Sequence, residues 1–337
     1  MRIQVLTLAT TLIALSSLDA QQLKGWTKGK GFGWVYGPND EIGALNAVNT
    51  PAMVMKAMQS VKSGRVFDMG VRVAAESYKW PGHSATSIVT YRSPELVKRE
   101  AATNPFAKHP RGLGWHSCAM YLSDNLGTQI DGLGHITSGS DNHWYNGFKE
   151  AQWGGNNGIR KADADTIPPV IVRSVLIDVA GYKGVDALAS NYSIGPADLQ
   201  AALKKQGVDV EPGDAVFIRT GTLRYWGDAG ANHAKLAEHD SAGLNLAGAK
   251  WLVEQKGAVF IGGDTSGVEV GNDPTQAAGV SNAVHEYLLV QQGIHIGEFH
   301  NLEGLAAAKV YRFVYMATTN RIKGAVAGTA LRPVAIE

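Results

Sequence analysis

The segment Asp124-Asn125-Leu126-Gly127-Thr128-Gln129-Ile130-Asp131-Gly132-Leu133-Gly134-His135 gathers amide, carboxylate and imidazole side chains around several glycines. In an extended chain alternate side chains share a face, so Gln129 and Asp131 point the same way, and the Gly127-Thr128 turn brings Asn125 and His135 within reach. Polar groups so placed offer oxygen and nitrogen ligands and a nearby base, which is what a divalent cation and an activated water require. The alternative is that Asp131 and His135 only bond the backbone of a glycine-rich loop.

A second segment, residues 282–302, carries His285 early in an apolar helical pattern and Glu298 at the end of a strand-like Ile294-His295-Ile296 run. Both can face a common cleft. A lone helical histidine is ordinarily a packing or capping residue, and His109, His233 and His239 are read that way. Glu298 differs, because it sits among apolar and small neighbours where an unpaired carboxylate is costly. It requires a partner.

The elements that must position these groups alternate along the chain. Thr50-Pro51 opens a helix as N-cap and first-turn proline, with Met53, Val54, Ala57, Met58 and Val61 at helical spacing before Gly64. Residues 170–180, 215–219 and 258–261 are short, rich in β-branched residues and bounded by Pro or Gly, as buried strands are. Between them residues 196–206, 243–255 and 282–292 read as helices, and 310–319 as a last strand before the tail. No tandem repeat or low-complexity linker divides the chain, which favours a single α/β domain.

Composition narrows the function classes. Lys plus Arg (31) against Asp plus Glu (30) leaves a net charge of +1, so no electrostatic nucleic-acid surface is expected. The hydrophobic share of 45% argues against a disordered chain. Residues 1–20 read as a secretory signal peptide, with Arg2 ahead of an apolar run too short to span a bilayer and Leu18-Asp19-Ala20 as the cleavage site. The expectation is therefore a periplasmic or secreted protein with one domain over residues 21–337 and no membrane attachment after cleavage. Cys118 is the only cysteine, cannot form an internal disulfide, and reads as a small buried hydrophobe in an apolar strand-like run.

The two segments, in this order, resemble the cyclase family of metal-dependent hydrolases, which includes bacterial kynurenine formamidase, isatin hydrolase and a trans-dienelactone hydrolase. The family signature HxGTHxDxPxH corresponds to residues 125–135, and its helix histidine and later glutamate correspond to His285 and Glu298 with Asn301-Leu302. Further similarity runs through Tyr145-Asn146-Gly147, residues 175–180, residues 212–221 and Gly263-Asp264-Thr265, so that the resemblance spans about residues 43–305. It implies an α/β swivelling β/β/α domain with a mixed, barrel-like sheet and flanking helices, and a homo-oligomer acting on a small molecule.

The resemblance implies a metal site of Asp131, His285 and Glu298, with the Gln129 amide as a further ligand and His135 as general acid/base. Asn125 and Gln129 replace two of the family's histidines, and Leu133 replaces its proline. An amide oxygen is a weaker partner for Zn²⁺ than imidazole, so a single divalent metal, Zn²⁺ or Mn²⁺, is expected. The implied reaction is hydrolysis of a cyclic amide, lactone or aryl formamide by metal-activated water, with an imidazole moving the proton. Trp80, Trp144 and Tyr145 offer faces for a flat substrate, although plain packing is the ordinary role of each. The competing expectation is an exported binding or sequestering relative that has lost the catalytic metal. No GxSxG elbow supports a nucleophilic serine enzyme.

Overall fold

Strands covered on both faces need apolar side chains on both, and Val170–Asp178, Ala215–Arg219, Phe260–Gly263 and His295–Glu298 meet that demand, each largely or wholly buried. They run parallel in that spatial order. The computed structural model describes residues 23–100, 102–227, 232–277 and 279–337, apart from the Phe106 side chain. The signal peptide expected over residues 1–20 lies outside them. Among the described residues no helix is long and apolar enough to cross a membrane.

The parallel strands form the middle of a nine-stranded mixed sheet. On one side Arg312–Ala317 pairs antiparallel with Val170–Asp178 and leads through Val334–Ile336 to Val66–Asp68. On the other, Gln129–Asp131 runs antiparallel to His295–Glu298 and is followed by Ala327–Gly328. The tail beyond residue 319 thus adds two further strands, a correction to the expectation that residues 310–319 hold the last one. Their pairings span only two or three residues, too short for alternation to register in the sequence.

The helices start at the expected signals, but the first ends at Met58 with Gln59 as its C-cap, short of the Val61 and Gly64 expected to continue and close it. Pro51–Met58 is capped by Thr50, whose hydroxyl accepts from the Met53 amide at 3.3 Å. Pro196–Gln206 ends at Gly207 in the left-handed conformation. The segment read as one helix over 243–255 divides into a two-residue strand, an Asn245 cap, an α-helical turn (Leu246–Lys250) and a π-helical turn (Trp251–Gln255). Ala283–His285 likewise continues as a π-helix over Glu286–Gln291, a local widening that recurs at functional sites.

Behind the strand bearing Glu298, Gly297 leaves room for aromatic rings: a Cβ there would lie 2.7 Å from Phe260. His300 packs among Phe217, Phe260 and Tyr315, its Nε2 2.7 Å from the Tyr315 hydroxyl. Burial pushes its imidazole down to about 3, which keeps it neutral. It is a core histidine. Trp144 and Tyr145 are also core residues, bonded to the Lys161 carbonyl and to Asp40. The stacking role considered for them is therefore excluded.

A separate hairpin, Ser87–Arg92 with Ser117–Tyr121, stands away from the main sheet. It exposes Ile88, Val89, Tyr91, Met120 and Tyr121. Cys118 is exposed there as well, contrary to the buried position expected from its apolar neighbours. Apolar alternation reports that a strand forms, and here the strand lacks a layer packed over it.

Candidate functional site

The register between two strands brings the first residues of the site together. Glu298 lies directly opposite Gln129 in the antiparallel pair, so both side chains project on the same face, with Asp131 two residues further on. All three are buried. Thr128 locks this arrangement: its hydroxyl donates to the Phe299 carbonyl at 2.7 Å and accepts from the Val71 amide at 2.9 Å. Gly127 precedes it with φ +68°, and a Cβ there would lie 2.7 Å from Val73, so glycine is required for conformation and for space.

The Gln129 amide nitrogen donates to Glu298 Oε2 at 2.6 Å, Asn125 Oδ1 at 2.8 Å and Asp131 Oδ1 at 3.2 Å. The opposite amide orientation would put oxygen against the carboxylates, so this one is preferred on electrostatic grounds. The helix beginning at Ala283 delivers His285, whose Nε2 lies 3.5 Å from Glu298 Oε1. The turn after Asp131 delivers His135, with its backbone N–H donating to the Gly132 carbonyl. Asp131, His135 and His285 each place one ligating atom within 4.8 Å of the others. Every residue named from the sequence for this site, Asn125 included, lies in or beside one cleft.

The chemistry of the donor set fits a divalent cation. Asp131 Oδ2 and His135 Nδ1 are buried without a hydrogen-bond partner among the described residues, and so is Gln129 Oε1, which an amide rotation would bring to the carboxylate side. Leaving such atoms unpaired costs about 1–3 kcal/mol each, and a cation accepting them would recover much of that cost. Burial, followed by the charge of Asp131, raises the Glu298 carboxyl well above its ordinary range. Burial by itself would lower the His285 imidazole, but Glu269 and Glu298 outweigh it and raise it to about 10. The His285 shift reports the two carboxylates beside it, whereas the Glu298 shift is chiefly the effect of burial.

The cleft encloses about 510 Å³. Its walls include residues that no sequence motif announced. His83 and Trp80 come from the loop before the hairpin, and Trp80 is half exposed there, consistent with the stacking role considered for it. His83 Nδ1 donates to the Asn125 carbonyl at 3.1 Å, and burial lowers its pKa. Asp240 accepts from the Ser266 amide at 2.7 Å, the Ser266 hydroxyl at 2.5 Å and the Tyr78 hydroxyl at 3.3 Å. Glu269 lines the cleft beside His285. His295 lies beneath, its Nδ1 2.7 Å from the Asp131 carbonyl. Among the described residues lining this cleft none is Lys or Arg.

The other recurring motifs serve as scaffold. Asp264 is fully buried where the parallel strands end, and accepts from the Thr220 amide, the Thr220 hydroxyl and the Gly221 amide, each at 2.8 Å. Burial raises its carboxyl to about 6. An asparagine would turn its NH₂ toward one of these donors, so Asp264→Asn is expected to cost about 2–4 kcal/mol of folding stability. Urea unfolding monitored by tryptophan fluorescence measures this, and an unchanged midpoint would contradict the role.

The Cyclase family model matches residues 56–270. Among solved structures the chain is similar to one described as a novel cyclase, with TM-score 0.76 and 26% sequence identity, covering 90% of this chain and 96% of that one. It is also similar to isatin hydrolase A from Ralstonia solanacearum, with TM-score 0.56, 18% identity and coverage of 85% and 97%. Isatin hydrolase A from Labrenzia aggregata, bound to benzyl benzoate, follows with TM-score 0.55, 20% identity and coverage of 81% and 93%. The likeness to the two isatin hydrolases concerns the fold. No curated protein matches the sequence.

Proposed function

The chain belongs to the cyclase family, and from that premise we propose that it is a metal-dependent hydrolase of a small, uncharged cyclic amide, lactone or aryl formamide. The observation that supports this most directly is the grouping of Asp131, His135 and His285, whose ligating atoms lie within 4.8 Å of one another, beside the buried Glu298 carboxyl, with Asp131 Oδ2 and His135 Nδ1 unpartnered among the described residues. Asp131, His285 and Glu298, with the Gln129 amide oxygen after rotation of that amide, would hold one Zn²⁺ or Mn²⁺. When bound, the cation supplies Lewis acidity toward a carbonyl and acidifies water.

The chain's own residues do the rest. His135 carries the proton from water to the leaving nitrogen or oxygen. His83, fixed by the Asn125 carbonyl, keeps Nε2 free on the same cleft. Trp80 offers an aromatic face at the rim. Asp240, Glu269 and Glu298 line the cleft, offset among the described residues by His285 and by no Lys or Arg, and this excess of acidic groups disfavours a substrate carboxylate. Export through residues 1–20 and assembly into a homo-oligomer complete the proposal.

The test is metal content of protein purified without chelator, followed by assays with added Mn²⁺ or Zn²⁺. The substrate panel comprises isatin-like amides, formanilides and lactones, each with a carboxylated analogue. The expected result is one bound cation, cation-dependent turnover, and at least about tenfold higher kcat/KM for the neutral member of each pair, an energy difference of about 1.4 kcal/mol. Protein that binds neither ion and gains no rate from either would favour the binding or sequestering relative instead.

A further inference from the structure

We infer that Glu269 is a positioning residue that holds the helix carrying His285 and the His285 ring with one carboxylate, so that imidazole Nε2 faces the cleft; this rests on the metal-site reading above. The helix starts without a cap of its own. Asn282, at its N-cap position, has φ +57° and makes no side-chain cap bond. Glu269 Oε2 supplies what is missing, accepting from the Val284 amide at 2.7 Å and the His285 amide at 3.2 Å. A carboxylate is well placed there, because the first N–H groups of a helix lack internal partners and carry partial positive charge.

The other oxygen of the same carboxylate turns to the ring. Glu269 Oε1 lies 3.4 Å from His285 Nδ1, an electrostatic contact without the alignment of a full hydrogen bond. Nδ1 thus faces Glu269, and Nε2 faces Glu298. A carboxylate against the far nitrogen of a ligating imidazole fixes the ring's orientation and raises its basicity.

The backbone is bent to make this possible. Val268, immediately before Glu269, adopts φ +60°, a conformation strongly disfavoured for a β-branched residue. It is held there by the Thr265 hydroxyl on its amide and by the Leu244 amide on its carbonyl. Phe299, next to Glu298, is likewise left-handed at φ +48°. Strain tolerated on both sides of one cleft is what a preset geometry entails.

Capping and ring orientation separate by substitution. Glu269→Gln keeps an oxygen for the helix amides but removes the charge beside Nδ1, whereas Glu269→Ala removes both. Zn²⁺ and Mn²⁺ affinities are read by competition with a chromophoric chelator, and folding by thermal unfolding of the metal-free chain. The expected result is a Kd raised about 10–100-fold in both variants, with Tm close to wild type for Glu269→Gln and lower by a few degrees for Glu269→Ala. A Glu269→Gln protein that binds both ions as tightly as wild type overturns the inference.

If the wild type itself binds neither ion, the metal-site reading fails and the ring still provides a test. In ¹⁵N-histidine-labelled metal-free protein, a slowly exchanging His285 Nδ1–H that disappears in Glu269→Ala supports the positioning role. Its persistence in that variant overturns it.

Discussion

Replacing Asp131 by Asn is expected to abolish metal retention and lower turnover by about 10³-fold or more, a loss of about 4 kcal/mol or more of transition-state stabilisation. Asp131 is fully buried, and its Oδ2 has no hydrogen-bond partner among the described residues. It also adds a negative charge that raises the Glu298 carboxyl. In the metal-free chain two such carboxylates repel one another, so neutralising one of them relieves the folded state. The Asn variant should therefore unfold at or above the wild-type temperature in chelator. What it should lose is the rise in Tm on adding metal, which for a single site at a hundredfold excess over Kd corresponds to about 2.7 kcal/mol. A variant that still gains this increment, or that keeps wild-type turnover, would remove Asp131 from the site.

This pairing of stable fold with lost binding separates a ligand from a structural residue. Asp264 gives the contrast: it is as deeply buried, but its oxygens receive three donors from the Thr220-Gly221 turn. Loss of Asp264 should weaken the fold, because it leaves those donors unpaired. Loss of Asp131 leaves mainly its contact with the Gln129 amide to be replaced. Burial is shared by the two residues, and their partners distinguish them.

The same distinction explains what could be read from the sequence. The facing of Gln129 and Asp131 follows from the two-residue period of a strand, and the demand of Glu298 for a partner follows from its apolar surroundings. Both are local properties. That Glu298 meets Gln129 in register depends on an antiparallel pairing across more than 160 residues of chain, and the family motif supplied that link. Glu269, His83 and the Asp240–Ser266 pair lie in segments with neither period nor motif. Their positions are set by crossovers between strands and by the strained turn at Val268. Trp144 and Trp80 show the limit in residue type alone: one is entombed in the core and the other stands half exposed at the cleft.

His135 carries the second large expectation. Its substitution by Ala should lower kcat by about 10²–10⁴-fold, the usual contribution of a positioned acid/base, while the metal stays bound and KM changes little. The structure makes this a sharp test, because His135 and His285 both place a ring nitrogen within 4.8 Å of an Asp131 oxygen. Its ring centroid is 6.3 Å from that of His285, and its Nδ1 is unpartnered among the described residues. Either a proton carrier or a ligand could occupy this position. A proton carrier missing from an otherwise intact site leaves space that free imidazole can enter, so added imidazole should restore part of the rate in proportion to its concentration. A ligand leaves a different trace: metal affinity falls with the rate, and added metal restores activity where imidazole does not. Retained metal with imidazole rescue assigns His135 the proton. Lost metal with rescue by excess cation would instead move His135 into the ligand set with Asp131 and His285, leaving His83 as the remaining imidazole on the cleft wall to manage the proton.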